Sequence, residues 1–258
     1  VEQLILIVFA YFLTALLISI PFYLSNYQVS FLNSIFESIS GLTGTGFSIF
    51  ENIKYLDPTL ILWRSSSQWI GGLYFLIFLI LLFSNKTFNF KMTNLTYPGE
   101  SNFNSTENIK SVILKLFIFY TSLSFIFLLL FSIADVRLFN SLNLVMTLIS
   151  GGGFLPTDNL SNIISTNLQK IVFILMLFLS ITNFYLIFNF FNKRVLFKNH
   201  KEDMYLFGLI IILTFLIFFN DYEVFNLIIS ILSALANSGL TLASTDNNLV
   251  LYFLLITI

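Results

Sequence analysis

Long apolar runs alternate with short polar stretches along this chain. Residues 4–24, 60–83, 112–133, 168–191 and 204–219 are apolar runs, and another begins at Leu249. A helix needs about 20 apolar residues to cross a hydrocarbon core of about 30 Å. Each of the five runs is long enough for that, or nearly so. The pattern predicts an all-α polytopic membrane protein. Val1 in place of a starting Met, and a last apolar run that stops at Ile258, predict a fragment.

The polar connections are of two kinds, and they alternate. One kind is basic: residues 85–110 carry Lys86, Lys91 and Lys110, and residues 192–203 carry Lys193, Arg194, Lys198 and Lys201. The other kind is poor in Lys and Arg and carries Glu51, Asp57, Asp135, Asp158, Asp221, Glu223 and Asp246. Basic loops stay in the cytoplasm. The basic loops are therefore expected inside and the acidic loops outside.

Within each outer connection lies a short semi-apolar stretch, at 31–42, 139–149 and 224–235, followed by a Gly-containing turn. About three helical turns fit in each, too few to span. Such segments predict re-entrant pore helices, because non-helical backbone at membrane depth is tolerated only where it lines protein or water. The expected organisation is a repeat of spanning helix, pore helix and spanning helix. The boundaries are 1–84, a cytoplasmic linker 85–110, a second repeat 111–192, a cytoplasmic loop 193–203 and a truncated third repeat 204–258. A fourth repeat is expected to be missing.

Composition adds exclusions. Hydrophobic residues make up 57% and charged residues 10% of the chain, against about 25% charged in soluble domains. The net charge of −1 gives no footprint for nucleic acid. There is no cysteine, so disulfides and thiolate chemistry are excluded. His200 stands alone in a basic loop, and the outer carboxylates show no ligand-like spacing, so an enzyme is not expected. A secondary transporter with broken helices is the competing class. It calls for mid-membrane charges, and the spans carry almost none.

The candidate chemistry lies in three turns: Thr43-Gly44-Thr45-Gly46-Phe47, Ser150-Gly151-Gly152-Gly153-Phe154 and Ala236-Asn237-Ser238-Gly239-Leu240. Each places a Gly before a large apolar residue. Rings of backbone carbonyls replace the water around a dehydrated cation without adding fixed charge. Gly reaches the required backbone angles cheaply, and the C-terminal end of a short helix favours a cation. The residue after each Gly, Phe47 and Phe154 among them, is read as a wedge. Arg64 and Gln68 sit one turn apart. Arg64 either buttresses the first turn, through its carbonyls or the Glu37 carboxylate, or snorkels to the interface. Gly71 and Gly72 favour close helix packing. Tyr55, Trp63 and Trp69 fit an interfacial aromatic belt.

Residues 36–47, followed by Trp63-Arg64-Ser65-Ser66-Ser67-Gln68-Trp69-Ile70-Gly71-Gly72, resemble the first pore loop and second helix of the Trk/Ktr/HKT superfamily. The bacterial Trk-type membrane subunit is the nearest form. Tyr97-Pro98-Gly99-Glu100 resembles its cytoplasmic linker, and Ser150 to Asp158 and Ser233 to Leu242 resemble its second and third pore loops. The resemblance implies four repeats around one pore in an inner membrane. Gly46, Gly153 and Gly239 then imply potassium as the transported ion, with no covalent cofactor. It also implies cytosolic nucleotide-binding regulatory subunits, a homodimer of the full-length protein, and a gate in the third repeat beyond Ile258.

Overall fold

A computed structural model describes residues 2–84, 109–182, 205, 208–211 and 224–242. The described elements are helical. They are α1 (Glu2–Tyr23), α2 (Phe31–Thr43), α3 (Pro58–Ser84), α4 (Ile109–Ile133), α5 (Leu138–Ile149), α6 (Asn167–Ile181) and α7 (Val224–Leu235). Short 3-10 turns at Ile53–Tyr55 and Leu160–Asn162 lie in the loops that follow α2 and α5. At 1.5 Å per residue, α1, α3 and α4 are about 33–40 Å long, whereas α2, α5 and α7 are only about 18–20 Å.

The helix ends follow local chemistry. Ser30 caps α2, its hydroxyl accepting from Asn33 N–H. Thr166 and Gln169 form a reciprocal capping box on α6, in the Ser/Thr-x-x-Glu/Gln pattern that satisfies two orphan donors. The apolar run expected to continue to residue 191 is interrupted: α6 ends at Ile181, and Thr182 is extended at φ −68°, ψ 147°. A β-branched Thr followed by Asn183 favours exit from a helix. The expected span at 204–219, the linker, the cytoplasmic loop and the run from Leu249 fall wholly or largely outside the described residues.

The short helices are enclosed by the long ones. α2 packs on α1 and α3, and α5 packs on α4 and α6. α3 also packs on α5, and α6 packs on α7, so each second helix leans on the next short helix. Polar bonds pin these contacts. The Ser38 hydroxyl donates to Ala15 O, and Trp63 Nε1 donates to Ile18 O at 3.0 Å. Trp69 packs against Tyr120 with ring centroids 5.2 Å apart and tilted by 53°, and donates to Ser124 Oγ at 3.0 Å. Trp69 is thus a helix-packing residue joining α3 to α4 rather than part of an interfacial belt.

One core joins α3, α4, α5, α6 and α7 around Leu116, Tyr120, Phe131, Leu144, Leu148 and Phe173. The opposite faces of α1 and α4 are apolar and exposed, through Phe9, Phe12, Ile118, Phe125 and Ile133 among others. Soluble monomers do not expose apolar surface on that scale. Residues Lys110–Ile133 are long and apolar enough to cross a bilayer. The outward faces are those of a helical membrane protein.

Candidate functional site

The three short helices end identically. Gly44 N–H donates to Gly41 O and Thr45 N–H to Ser40 O, both at 3.0 Å. The second turn repeats this with Gly151 to Leu148 O (3.0 Å) and Gly152 to Thr147 O (2.9 Å). The third has Asn237 to Ala234 O and Ser238 to Ser233 O, both at 3.0 Å. This pair of bonds is the Schellman cap, which requires a left-handed residue at its centre. Gly44 (φ 71°), Gly151 (φ 71°) and Asn237 (φ 55°) fill that position. Asn is the usual non-glycine substitute there, since its short polar side chain tolerates the left-handed region.

The caps turn the chain so that the segments lie side by side. A Cβ on Gly46 would fall 3.0 Å from Gly153 N, and one on Gly44 would fall 3.5 Å from Ser150 O. A Cβ on Gly153 would fall 2.3 Å from Ser238 O, and one on Gly151 would fall 3.7 Å from Ala236 O. The first turn therefore abuts the second, and the second abuts the third, in matching order. Gly46 (φ 79°) and Gly239 (φ 66°) are left-handed, whereas Gly153 is glycine for lack of room. A Cβ on Gly239 meets nothing within 4 Å. Thr43, Thr45, Ala236, Asn237 and Ser238 complete the arc, which carries no carboxylate.

Behind the arc stands an ion pair. Arg64 Nε lies 2.8 Å from Glu37 Oε1, with both side chains out of solvent. The second carboxylate oxygen accepts from Ile49 N–H at 2.8 Å, and Ser48 Oγ bridges Glu37 (2.9 Å) and Arg64 Nη2 (2.9 Å). Arg64 thus reaches the strand leaving the first turn through a carboxylate and a hydroxyl. It also lies over the Phe154 ring, 4.3 Å from its centroid. A buried pair is tolerable only when its remaining lone pairs and protons find partners; Ser48 and Ile49 supply them for the carboxylate and for Arg64 Nη2, while the buried Nη1 has none.

The residues after the Gly positions differ. Phe154 and Leu240 are buried, at 1% and 4% exposure, but Phe47 is 69% exposed. The wedge geometry therefore occurs at Phe154 and Leu240 and not at Phe47. Sequence reasoning also passed over three hydroxyls: Ser40, Thr147 and Ser233, each six residues before Gly46, Gly153 or Gly239. Ser40 Oγ donates to Phe47 O at 2.5 Å, and Ser233 Oγ accepts from Leu240 N–H at 2.6 Å. A hydroxyl at a fixed distance before every Gly is the signal that finds them.

α3 comes close behind the first two turns because its inner face is small. A Cβ on Gly71 would fall 1.9 Å from Leu42 O, and one on Gly72 would fall 2.7 Å from Ser150 Cβ. The loops carrying Glu51, Asp57, Asp135 and Asp158 are exposed at these positions. Asp158 Oδ1 accepts from Ile53 N–H at 2.6 Å, which ties the loop after α2 to the loop after α5. Asp221, Glu223, Asp246 and His200 lie outside the described residues.

No protein-family model matches the chain. Among curated proteins, the chain is 31% identical over 149 residues to an uncharacterized cation transporter of Methanocaldococcus jannaschii; this match covers 56% of the chain and 30% of that protein. It is 44% identical over 55 residues to the Trk system potassium uptake protein TrkI of Halomonas elongata, covering 21% of the chain and 11% of that protein. It is 24% identical over 173 residues to TrkH of Vibrio parahaemolyticus, covering 66% of the chain and 36% of that protein. The matches therefore span about a third or less of each curated relative. The crystal structure of the potassium transporter TrkH from Vibrio parahaemolyticus has the same fold, at a TM-score of 0.78 and 21% identity over 98% of this chain and 55% of that one. In sequence the chain is thus similar to Trk-type potassium uptake proteins and to a cation transporter, and in fold it is similar to TrkH.

Proposed function

We propose that the full-length protein takes up potassium through a pore whose selectivity filter is built from backbone carbonyls of residues 43–46, 150–153 and 236–239. The single observation that supports this most is the side-by-side contact of three identically capped Gly turns. Neutral backbone oxygens then meet the cation, and no carboxylate of the turns competes for it. The names of the TrkH and TrkI relatives supply the ion. Arg64, Glu37 and Phe154 support the filter from behind. Residues 1–84, 111–192 and 204–258 act as successive repeats, with 85–110 and 193–203 between them.

On this reading the outer carboxylates concentrate cations at the pore mouth. The basic segments 85–110 and 192–203 face the cytoplasm, and the protein sits in the inner membrane. It works as a homodimer with cytosolic nucleotide-binding regulatory subunits.

The test is complementation. The full-length gene is expressed in bacteria that lack potassium uptake, and growth is followed at limiting potassium. Rescue is expected, and Gly46→Val should abolish it, because that residue adds a Cβ at a left-handed position against the Gly153 backbone. Failure of the wild-type protein to rescue, with its presence in the membrane verified, overturns the proposal.

A further inference from the structure

The residue two before the last one of each turn is Thr45, Gly152 or Ser238. Only the middle turn lacks a side chain there. Its glycine is not required by backbone angle, since Gly152 is absent from the positive-φ residues. It is required by a neighbour: a Cβ on Gly152 would fall 2.4 Å from both Cδ and Oε1 of Gln68 and 2.6 Å from Nε2. Gln68 comes from α3, which belongs to the first half of the chain, and it is fully buried.

The hydrogen bonds of the turns show what Gln68 replaces. In the third turn the N–H after the glycine, Leu240 N–H, is accepted by Ser233 Oγ, and Ser233 Oγ also pairs with Ser238 Oγ at 3.0 Å. In the second turn the equivalent N–H, that of Phe154, is accepted by Gln68 Oε1 at 3.3 Å. Thr147 stands where Ser233 stands, and its buried hydroxyl has no partner. The third turn is thus braced from the short helix that leads into it, and the second is braced by a side chain from another element.

The counterparts of this brace in α6 are apolar. Counted from the helix start, Arg64 and Gln68 correspond to Phe173 and Leu177, both fully buried in the core that holds Leu240.

We propose that Gln68 is the positioning residue that sets the register of the second turn. It accepts the Phe154 N–H and fills the space that a side chain at position 152 would need. Its consequence for ion selection rests on the pore reading above: a shifted second turn moves one side of the filter, and potassium loses its advantage over sodium.

Two measurements on the full-length protein test this. The first is a thermal-unfolding cycle in detergent with Gln68→Ala, Gly152→Ala and the pair. Gly152→Ala is expected to lower the midpoint, and the pair to recover much of that loss, because the smaller residue vacates the space. A pair no more stable than Gly152→Ala overturns the proposal. The second is the potassium-to-sodium uptake ratio of Gln68→Met, which keeps the volume and removes the acceptor. A severalfold fall in the ratio is expected at near wild-type unfolding midpoint, and an unchanged ratio overturns the role in selection. If wild-type protein transports no potassium, the pore reading fails, and the unfolding cycle alone decides whether Gln68 positions the turn.

Discussion

Arg64 and Glu37 are buried charges in a protein interior, where each loses several kcal/mol of hydration. Their geometry explains why both persist: a 2.8 Å bond, a bridging Ser48 and an Ile49 N–H on the far oxygen. Counted from Gly153 as Glu37 and Ser48 are counted from Gly46, the corresponding residues are Leu144 and Leu155. The ion pair is thus one of two ways this architecture fills the same space. Arg64→Leu alone strands a buried carboxylate and should cost about 3–5 kcal/mol, read as a lower unfolding midpoint and lower uptake of the full-length protein. The Glu37→Leu/Arg64→Leu pair should recover at least half of that loss in stability. Equal midpoints for the single and double variants would show that Glu37 is not what makes the single change costly. Arg64 was legible in the sequence as an intramembrane cation, but its partner was one of two options. Residues 27 positions apart meet only once α2 and α3 pack.

At the scale of the elements, two kinds of glycine must be separated. Gly44 and Gly151 terminate short helices by left-handed caps, with the nearest obstruction to a Cβ at 3.5 and 3.7 Å. Alanine there should cost about 1–2 kcal/mol through backbone strain alone. Gly71 has ordinary helical angles but faces Leu42 O at 1.9 Å. Gly71→Ala must push α3 away from α2, and should destabilise the protein more than Gly44→Ala does. The comparison of the two midpoints checks this, and a smaller effect at Gly71 would contradict the close approach of the helices. The short helices themselves were readable, with bounds within one residue of 31–42, 139–149 and 224–235. Their length lies between that of a turn and that of a span, and the Gly that ends each one is explicit. Asn237 was harder to place, because the cap needs a left-handed angle rather than a glycine.

At the scale of the whole molecule, apolar faces of α1 and α4 point outward while the ion pair is buried. In lipid every buried backbone polar group needs a partner within the protein. The capped turns meet this by bonding back to their own helices. On the proposed topology, a single cysteine at Glu51 and one at Lys91 should react with an impermeant thiol reagent from opposite sides of the membrane. Labelling of intact cells at Glu51, and of inverted vesicles at Lys91, is the expected result. Labelling of both from one side would overturn the alternation of loops.

The sequence by itself determined the class of protein, the short helices and the places where chain must turn. Those follow from local facts: apolar length and the angles glycine permits. Only the tertiary structure decided which side chains hold the turns together. Trp69 left the expected aromatic belt for Tyr120, Phe47 turned outward while Phe154 turned in, and Gln68 explained a glycine that lies 84 positions away. These are outcomes of packing between distant segments, where the volume and hydrogen-bonding capacity of one side chain set what its neighbour can be.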